Sequence, residues 1–188
     1  MAQRDDLIPA FVDAFAAQKE LAERAIAQIS DLDLRRPLDD NTNSIAVIMK
    51  HVGGNLRSRF TDFLNSDGEK PWRDRDDEFI DTFRSRDEVV AAWESGWSTL
   101  YDTLGALRPE HLFWTVYIRA EPHTVPEALT RSLAHTSYHI GQIILTARVL
   151  SKSNWTTLTI PRGGSKAHNQ RVGYDPAPNP DETDDAQE

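Results

Sequence analysis

The sequence predicts an all-α protein, a four-helix bundle with a short extended or hairpin connection before the last helix. Four stretches carry apolar residues at a spacing of about 3.6 residues, the period of an α-helix that buries one face. Between the third and fourth stretches, residues 112–119 have the β-branched and aromatic composition of a strand. Because four amphipathic helices can share one core by packing side by side, a bundle is the expected architecture.

The first helix is predicted from Asp6 to Ser30, and the second is predicted to begin at Asn43 or Ser44. Asn and Ser are good N-caps because their side chains accept a hydrogen bond from a backbone N–H group that the helix leaves free. The glycine pair at 53–54 weakens the middle of the second helix by about 1 kcal/mol per glycine. The missing side chains would let another backbone approach closely at that point.

The third helix is predicted to begin at Ser85 and to end at Gly105, and the fourth to run from Thr124 to Leu150. Both begin with a capping-box pattern, in which Ser or Thr is followed three residues later by Glu. Two tryptophans on the apolar stripe of the third helix are predicted to belong to the core. Residues 121–124, which precede the fourth helix, are predicted to form a turn.

The remaining segments are predicted to be a loop, an ordered terminal segment and a tail. Residues 65–81 are polar and contain Gly and Pro, which is typical of a loop, and residues 155–169 look ordered. The last fourteen residues, 175–188, hold six acidic residues and no basic residue. They are predicted to be a disordered, solvated tail, and an acidic docking segment is the alternative. The predicted domains are therefore a bundle domain over 1–174 and an acidic tail over 175–188.

Composition excludes several classes of function. The chain of 188 residues has a net charge of -9, which disfavours binding to nucleic acids and anionic membranes because both are polyanions. It has no cysteine, which excludes disulfides, thiolate metal sites and a cysteine nucleophile. No secretory signal begins the chain, and no apolar run approaches the ~18 residues of a membrane span. We therefore expect a cytoplasmic protein without nucleic-acid or membrane partners.

The histidines are the residues most suited to chemistry. His135 and His139 stand four residues apart on the fourth helix, which places both rings on one face about one turn apart. Such a pair can share a metal ion, although the glutamate of the zincin motif is missing, and two ordinary rim histidines are the alternative. His51 lies off the apolar stripe of the second helix, so the helical pattern alone does not indicate that it binds a metal. The other histidines lack a spacing partner and are predicted to lie in loops: His111, His123 and His168.

On these residues the sequence resembles the DinB-like superfamily of metal-binding four-helix bundles. The resemblance is carried by His51 and by His135-x-x-x-His139, which is followed by Ile140-Gly141-Gln142. Within that superfamily the chain is most similar to a branch without a settled activity, for which the segments 43–72 and 155–165 look typical. The superfamily includes bacillithiol transferases and mycothiol-dependent maleylpyruvate isomerases. The resemblance implies that the three histidines hold one divalent metal ion at the open side of the bundle.

The resemblance also implies a chemistry. Three neutral imidazoles leave the charge of the ion uncompensated and at least one coordination position open. Such an ion lowers the pKa of a bound water or deprotonates a bound thiol, and a cysteine-free protein must obtain that thiol from a small molecule. Zinc or nickel suits the site best, and iron and manganese also accept imidazole. The predicted function is a thiol-dependent S-transferase or a metal-dependent hydrolase that acts on a small-molecule substrate.

Two alternatives and several weaker predictions accompany this one. The first alternative is a non-catalytic metal-binding or stress-response protein, and the second is a structural bundle without metal. Relatives imply a homodimer. Gln142 is predicted to support a metal ligand, with a helix-surface amide as the alternative. Three arginines could hold a substrate carboxylate or form ion pairs: Arg57, Arg59 and Arg162. Residues 161–165 could form an anion-binding nest or an ordinary turn.

Overall fold

The computed structural model describes residues 7–174, and these residues are predominantly helical, which confirms the prediction of an all-α protein. They divide into two compact units, residues 7–155 and residues 156–174. The second unit contains one short helix, α6 (Ser165–Arg171). The first unit contains the other helices and a two-stranded sheet: α1 (Leu7–Ile26), α2 (Asp31–Leu34), α3 (Ile45–Phe60), α4 (Arg86–Ala106), β1 (Thr115–Ile118), β2 (Glu121–Thr124) and α5 (Val125–Ser151).

The four long helices of the first unit correspond to the four predicted helices. Helix α1 packs against α5 and α4, and α3 packs against α4 and α5, so each long helix contacts two others. The largest side chains that this packing buries are Trp93 and Trp97, both at most 1% exposed. The prediction that the two tryptophans belong to the core is confirmed.

Helices α3 and α4 approach each other closely where Gly53 faces Gly96. The side chain of Ser44 accepts a hydrogen bond from the N–H group of Val47, which confirms the predicted start of α3. Further along α3, a Cβ atom added to Gly96 of α4 would lie 2.6 Å from the Cα atom of Gly53. The expectation that the glycine pair at 53–54 admits a second backbone is therefore confirmed for Gly53.

The predicted end of the first helix, Ser30, is wrong. Helix α1 ends at Ile26, and residues 31–34 form the separate helix α2. The cause is Ser30, whose side chain accepts a hydrogen bond from the N–H group of Asp33 and so caps a new helix. Ser30 was expected to end a helix, and it begins one instead.

The predicted connection before the last helix is an antiparallel hairpin, in which Ile118 pairs with Glu121. Residues 121–124 are strand β2, so the turn predicted there is wrong. The turn is instead Arg119 and Ala120, with φ values of 56° and 62°. Two residues at positive φ match the twist of a two-residue hairpin turn, even though neither is glycine. The carboxylate of Asp67 accepts hydrogen bonds from both N–H groups, at 2.9 and 2.7 Å.

Helix α5 begins as predicted. Thr124 accepts a hydrogen bond from the N–H group of Glu127, and the Glu127 carboxylate accepts one from the N–H group of Thr124 at 2.7 Å. Both halves of the predicted capping box are present. This start places the two histidines of α5 in the middle third of the helix, beside α3.

The three histidines that were predicted to lie in loops lie in regular elements instead, so that prediction is wrong. His111 is 5% exposed within a 3-10 turn, where its Nδ1 accepts a hydrogen bond from the Arg108 N–H group at 3.1 Å. His123 lies in β2 and His168 in α6.

No helix within residues 7–174 combines the length and apolar character that crossing a membrane requires. The predicted tail, 175–188, lies outside the described residues.

Candidate metal centre

Helices α3 and α5 bring His51, His135 and His139 together. One ring nitrogen from each histidine lies within 4.8 Å of the corresponding nitrogens of the other two. The Nε2 atoms of His51 and His135 are 3.3 Å apart. The ring of His139 is centred 4.8 Å from the ring of His51 and 4.6 Å from the ring of His135. These are the three histidines that the resemblance implied as metal ligands.

The ring of His51 is held from behind by Glu78. His51 is 3% exposed, and its Nδ1–H donates a hydrogen bond to Oε2 of Glu78 at 2.9 Å. Glu78 is itself buried and lies in a 3-10 turn, Asp77–Phe79, of the long polar connection. Because the proton is used at Nδ1, the lone pair of Nε2 faces the other two histidines.

Glu78 is an ionised acceptor despite its burial. Its two oxygens accept hydrogen bonds from Nε and from one terminal nitrogen of Arg73, both at 2.8 Å. Burial raises the pKa of the Glu78 carboxyl, but the hydrogen bonds from Arg73 and His51 lower it further, so the pKa lies below its usual value. The carboxylate therefore both orients His51 and neutralises a buried guanidinium group.

Glycine at position 54 makes room for this carboxylate. A Cβ atom added to Gly54 would lie 2.8 Å from Cδ of Glu78, closer than an ordinary van der Waals contact. The second glycine of the pair therefore serves the site, whereas Gly53 serves the contact between α3 and α4. Sequence reasoning missed Glu78, and the glycine pair one turn from His51 was the signal that could have pointed to a buried group there.

Gln142 holds the second ring. The Nδ1–H of His139 donates a hydrogen bond to Oε1 of Gln142 at 2.8 Å, and Nε2 of Gln142 donates to the hydroxyl of Tyr138 at 3.1 Å. The amide supports a histidine of the cluster, as expected, and that histidine is His139. Fixing the proton at Nδ1 leaves the Nε2 lone pair of His139 free to bind a ligand.

His135 is neutral in this environment. Burial, followed by the nearby charges of His139 and His51, lowers the pKa of His135 from 6.5 to about 3. Burial also lowers the pKa of His139, although its hydrogen bond with Gln142 acts in the opposite direction. The buried Nδ1 of His135 has no hydrogen-bond partner. At neutral pH both rings are therefore uncharged, which is the form of histidine that binds metals.

This donor set fits a divalent metal ion. Two nitrogens bound at about 2.0–2.1 Å in a tetrahedral arrangement lie about 3.3 Å apart. The distance between Nε2 of His51 and Nε2 of His135 is also 3.3 Å. A cation between these nitrogens would satisfy lone pairs that the protein itself does not fully occupy, and the orienting groups behind His51 and His139 are of the type that metal ligands use.

A cavity of about 170 Å³ opens beside the cluster. His51 and His135 form part of its wall, and Arg59 lines it as well. Arg57 instead lies over the ring of Trp72, 4.9 Å from its centre, so only one of these two candidate arginines faces the cavity. Arg162 and residues 161–165 belong to the second unit.

The cluster lies inside the part of the chain that a family model recognises. No curated protein and no solved structure matches the chain. The family model that does match is described as Protein of unknown function (DUF1572), and it spans residues 4–164. That span includes His51, His135, His139 and Gln142, and it covers most of the chain. The chain therefore belongs to the DUF1572 family.

Proposed function

We propose that this chain is a metal-dependent enzyme of the DinB-like superfamily, in which His51, His135 and His139 hold one divalent ion. The observation that carries the proposal is the convergence of three imidazoles, two of them with the Nδ1 proton fixed by Glu78 and Gln142. Zinc and nickel suit such a set best, and iron and manganese also accept imidazole. The packing of each long helix against two others supports a four-helix bundle of this superfamily.

The proposed reaction is transfer of a small-molecule thiol to a substrate, or hydrolysis of a small substrate. The chemistry that a bound divalent ion supplies is Lewis acidity, which lowers the pKa of a thiol or water that binds it. Glu78 and Gln142 keep the histidines in one tautomer and one orientation. The chain has no cysteine, so a reacting thiol would come from solution and enter the cavity beside His51 and His135.

One observation favours a non-catalytic metal-binding protein as the second candidate. The residues that line the cavity include no Asp, Glu, Lys, Cys or Tyr, so the wall offers no carboxylate, amine, thiol or phenol group. A metal-binding or stress-response protein needs no such group. An enzyme that uses a thiol co-substrate also needs none, because the co-substrate provides the nucleophile.

Metal analysis of protein prepared without a histidine tag tests the site. We expect about one zinc or nickel per chain after reconstitution, and none in His135→Ala. The control is His168→Ala, which removes a histidine of the second unit and should bind metal like the wild type. Wild-type protein that takes up no metal would contradict the proposal.

Turnover separates the two candidates. Metal-loaded protein is incubated with a low-molecular-weight thiol and an electrophile, and in parallel with ester and amide substrates. Thiol consumption or hydrolysis that disappears in His135→Ala supports the enzyme. Metal uptake with no turnover in either arm supports the non-catalytic candidate.

A further inference from the structure

The cavity beside the histidines is walled mainly by cations. Its ten lining residues include five arginines and no acidic residue: Arg59, Arg73, Arg75, Arg119 and Arg131. They come from α3, from the long polar connection, from the hairpin turn and from α5. A wall of this kind costs electrostatic free energy because like charges face one another across a small space.

The acidic partners of these arginines only partly compensate that charge. Glu69 accepts from both Arg59 and Arg119, at 3.2 and 2.9 Å. Glu121 pairs with Arg131 at 3.0 Å. Burial lowers the pKa of Arg59, and the charges of Arg73 and Arg119 act in the same direction against that of Glu69. Two arginines that share one carboxylate retain net positive charge toward the cavity.

The remaining arginines add to this excess. Arg73 forms an ion pair with Glu78. It also lies 3.8 Å from Glu69, which pairs with Arg59 and Arg119 as well. Arg75 lies over the ring of Phe79, 5.9 Å from its centre, and no carboxylate within residues 7–174 pairs with it. The nearby Asp67 carboxylate is occupied by backbone N–H groups of Glu69, Arg119 and Ala120. Four of the five arginines thus share three glutamates, and Arg75 pairs with none of them.

Two buried polar side chains also face the cavity. Ser132 is 6% exposed, and its hydroxyl has no hydrogen-bond partner. Asn55 is 7% exposed and presents an amide to the same space. A buried hydroxyl without a partner is unfavourable, so the Ser132 hydroxyl is available to a ligand that enters the cavity.

The hairpin turn places one of the arginines at a cost to the backbone. Arg119 and Ala120 are held at φ values of 56° and 62°, a left-handed region that is unfavourable for residues other than glycine. The two hydrogen bonds to Asp67 stabilise that conformation. Strain of this kind persists where the surrounding structure requires it, and here it positions a cavity arginine.

From these observations we infer that the cavity binds the oxyanion group, carboxylate or phosphate, of a small organic anion beside the three-histidine centre. The guanidinium fork matches such groups with two parallel hydrogen bonds, and Ser132 and Asn55 supply neutral donors. The volume of about 170 Å³ is well below that of a drug-sized site, so the ligand is small. The inference rests on the proposed metal-dependent function, because it names the class of substrate for that same site.

Calorimetric titration of the zinc-loaded protein tests the inference. The probes are succinate for a carboxylate, methylphosphonate for a phosphorus oxyanion, and succinamide as the neutral analogue of succinate. The variants are Arg119→Gln and Arg131→Gln, whose side chains are about half exposed and are therefore tolerant of change. The matched control is Arg108→Gln, which removes an exposed arginine that pairs with Glu110 and does not line the cavity.

We expect at least one of the two anions to bind at least tenfold more tightly than succinamide, and the tighter anion identifies the oxyanion. Each cavity variant should weaken that binding about three- to tenfold, while Arg108→Gln leaves it unchanged. Binding of both succinate and methylphosphonate no tighter than that of succinamide, or cavity variants that match Arg108→Gln, would overturn the inference.

Zinc content, measured on the same samples, separates the two failures. A chain that binds no zinc contradicts the proposed function, and the arginine dependence of anion binding is then measured on the metal-free protein. A chain that binds zinc but no anion leaves the metal proposal intact and overturns the anion site alone.

Discussion

Replacing Gly54 by alanine should weaken metal binding without touching a histidine. The added Cβ atom would lie 2.8 Å from Cδ of Glu78 and nearer still to one of its oxygens, whereas ordinary contacts begin at 3.4 Å. The backbone of α3 cannot move easily, because Gly53 is packed against α4. The Glu78 carboxylate must therefore shift, and its 2.9 Å hydrogen bond to His51 is lost.

The expected loss of zinc affinity is about 10–100-fold, the usual effect of removing a group that orients a metal-bound histidine. That range corresponds to about 1.4–2.7 kcal/mol of binding free energy. The free energy of unfolding of the metal-free protein should change much less. Alanine favours a helix interior over glycine by about 1 kcal/mol, which offsets part of the cost of moving the Glu78–Arg73 pair.

The assay is competition for zinc against a chromophoric chelator, with thermal melting of the metal-free protein measured in parallel. Gly141→Ala is the matched control, since a Cβ atom there meets nothing within 4 Å. Glu78→Gln retains an oxygen for the His51 Nδ1–H and should lose less affinity than Glu78→Ala. If Gly54→Ala binds zinc within about twofold of Gly141→Ala, Glu78 does not position His51 as described.

Further variants test the packing, the cluster and the hairpin. Gly96→Ala should lower the free energy of unfolding by about 1–3 kcal/mol in urea denaturation, because its Cβ would meet the Gly53 backbone, and equal or greater stability would contradict that contact. His135→Ala should melt, by circular dichroism, close to the chelator-stripped wild type. An unfolded stripped wild type would instead make the metal structural. Ala120→Gly should raise the free energy of unfolding by up to about 1 kcal/mol, since it relieves a positive φ, and a decrease would show that the turn is unstrained.

The helices were predictable because their signals are local. The cap at Ser44 and the capping box of Thr124 and Glu127 each depend on residues three positions apart, and the structure contains all of these hydrogen bonds. Ser30 shows the limit of such signals. The same residue type can follow one helix or begin the next, and here the four residues after Ser30 form α2.

The site was predictable only in part. The spacing of His135 and His139 is a local signal, but the burial of His51 depends on packing against α5, which the stripe of α3 does not encode. Glu78 was missed because it lies 27 residues from His51 in a polar segment without periodicity. A long-range hydrogen bond from a loop leaves no pattern in the sequence, and its only trace was Gly54, which was expected to meet a backbone.

The distribution of the site over the fold has a consequence for divergence within the family. All three histidines lie on the long helices α3 and α5, whereas Arg73, Arg75 and Arg119 lie on the connections between elements. Connections accept substitutions, insertions and deletions more readily than helices that share a core. Relatives can therefore exchange the three arginines of the connections, and with them the anion that the proposed site would accept, more readily than the histidine cluster.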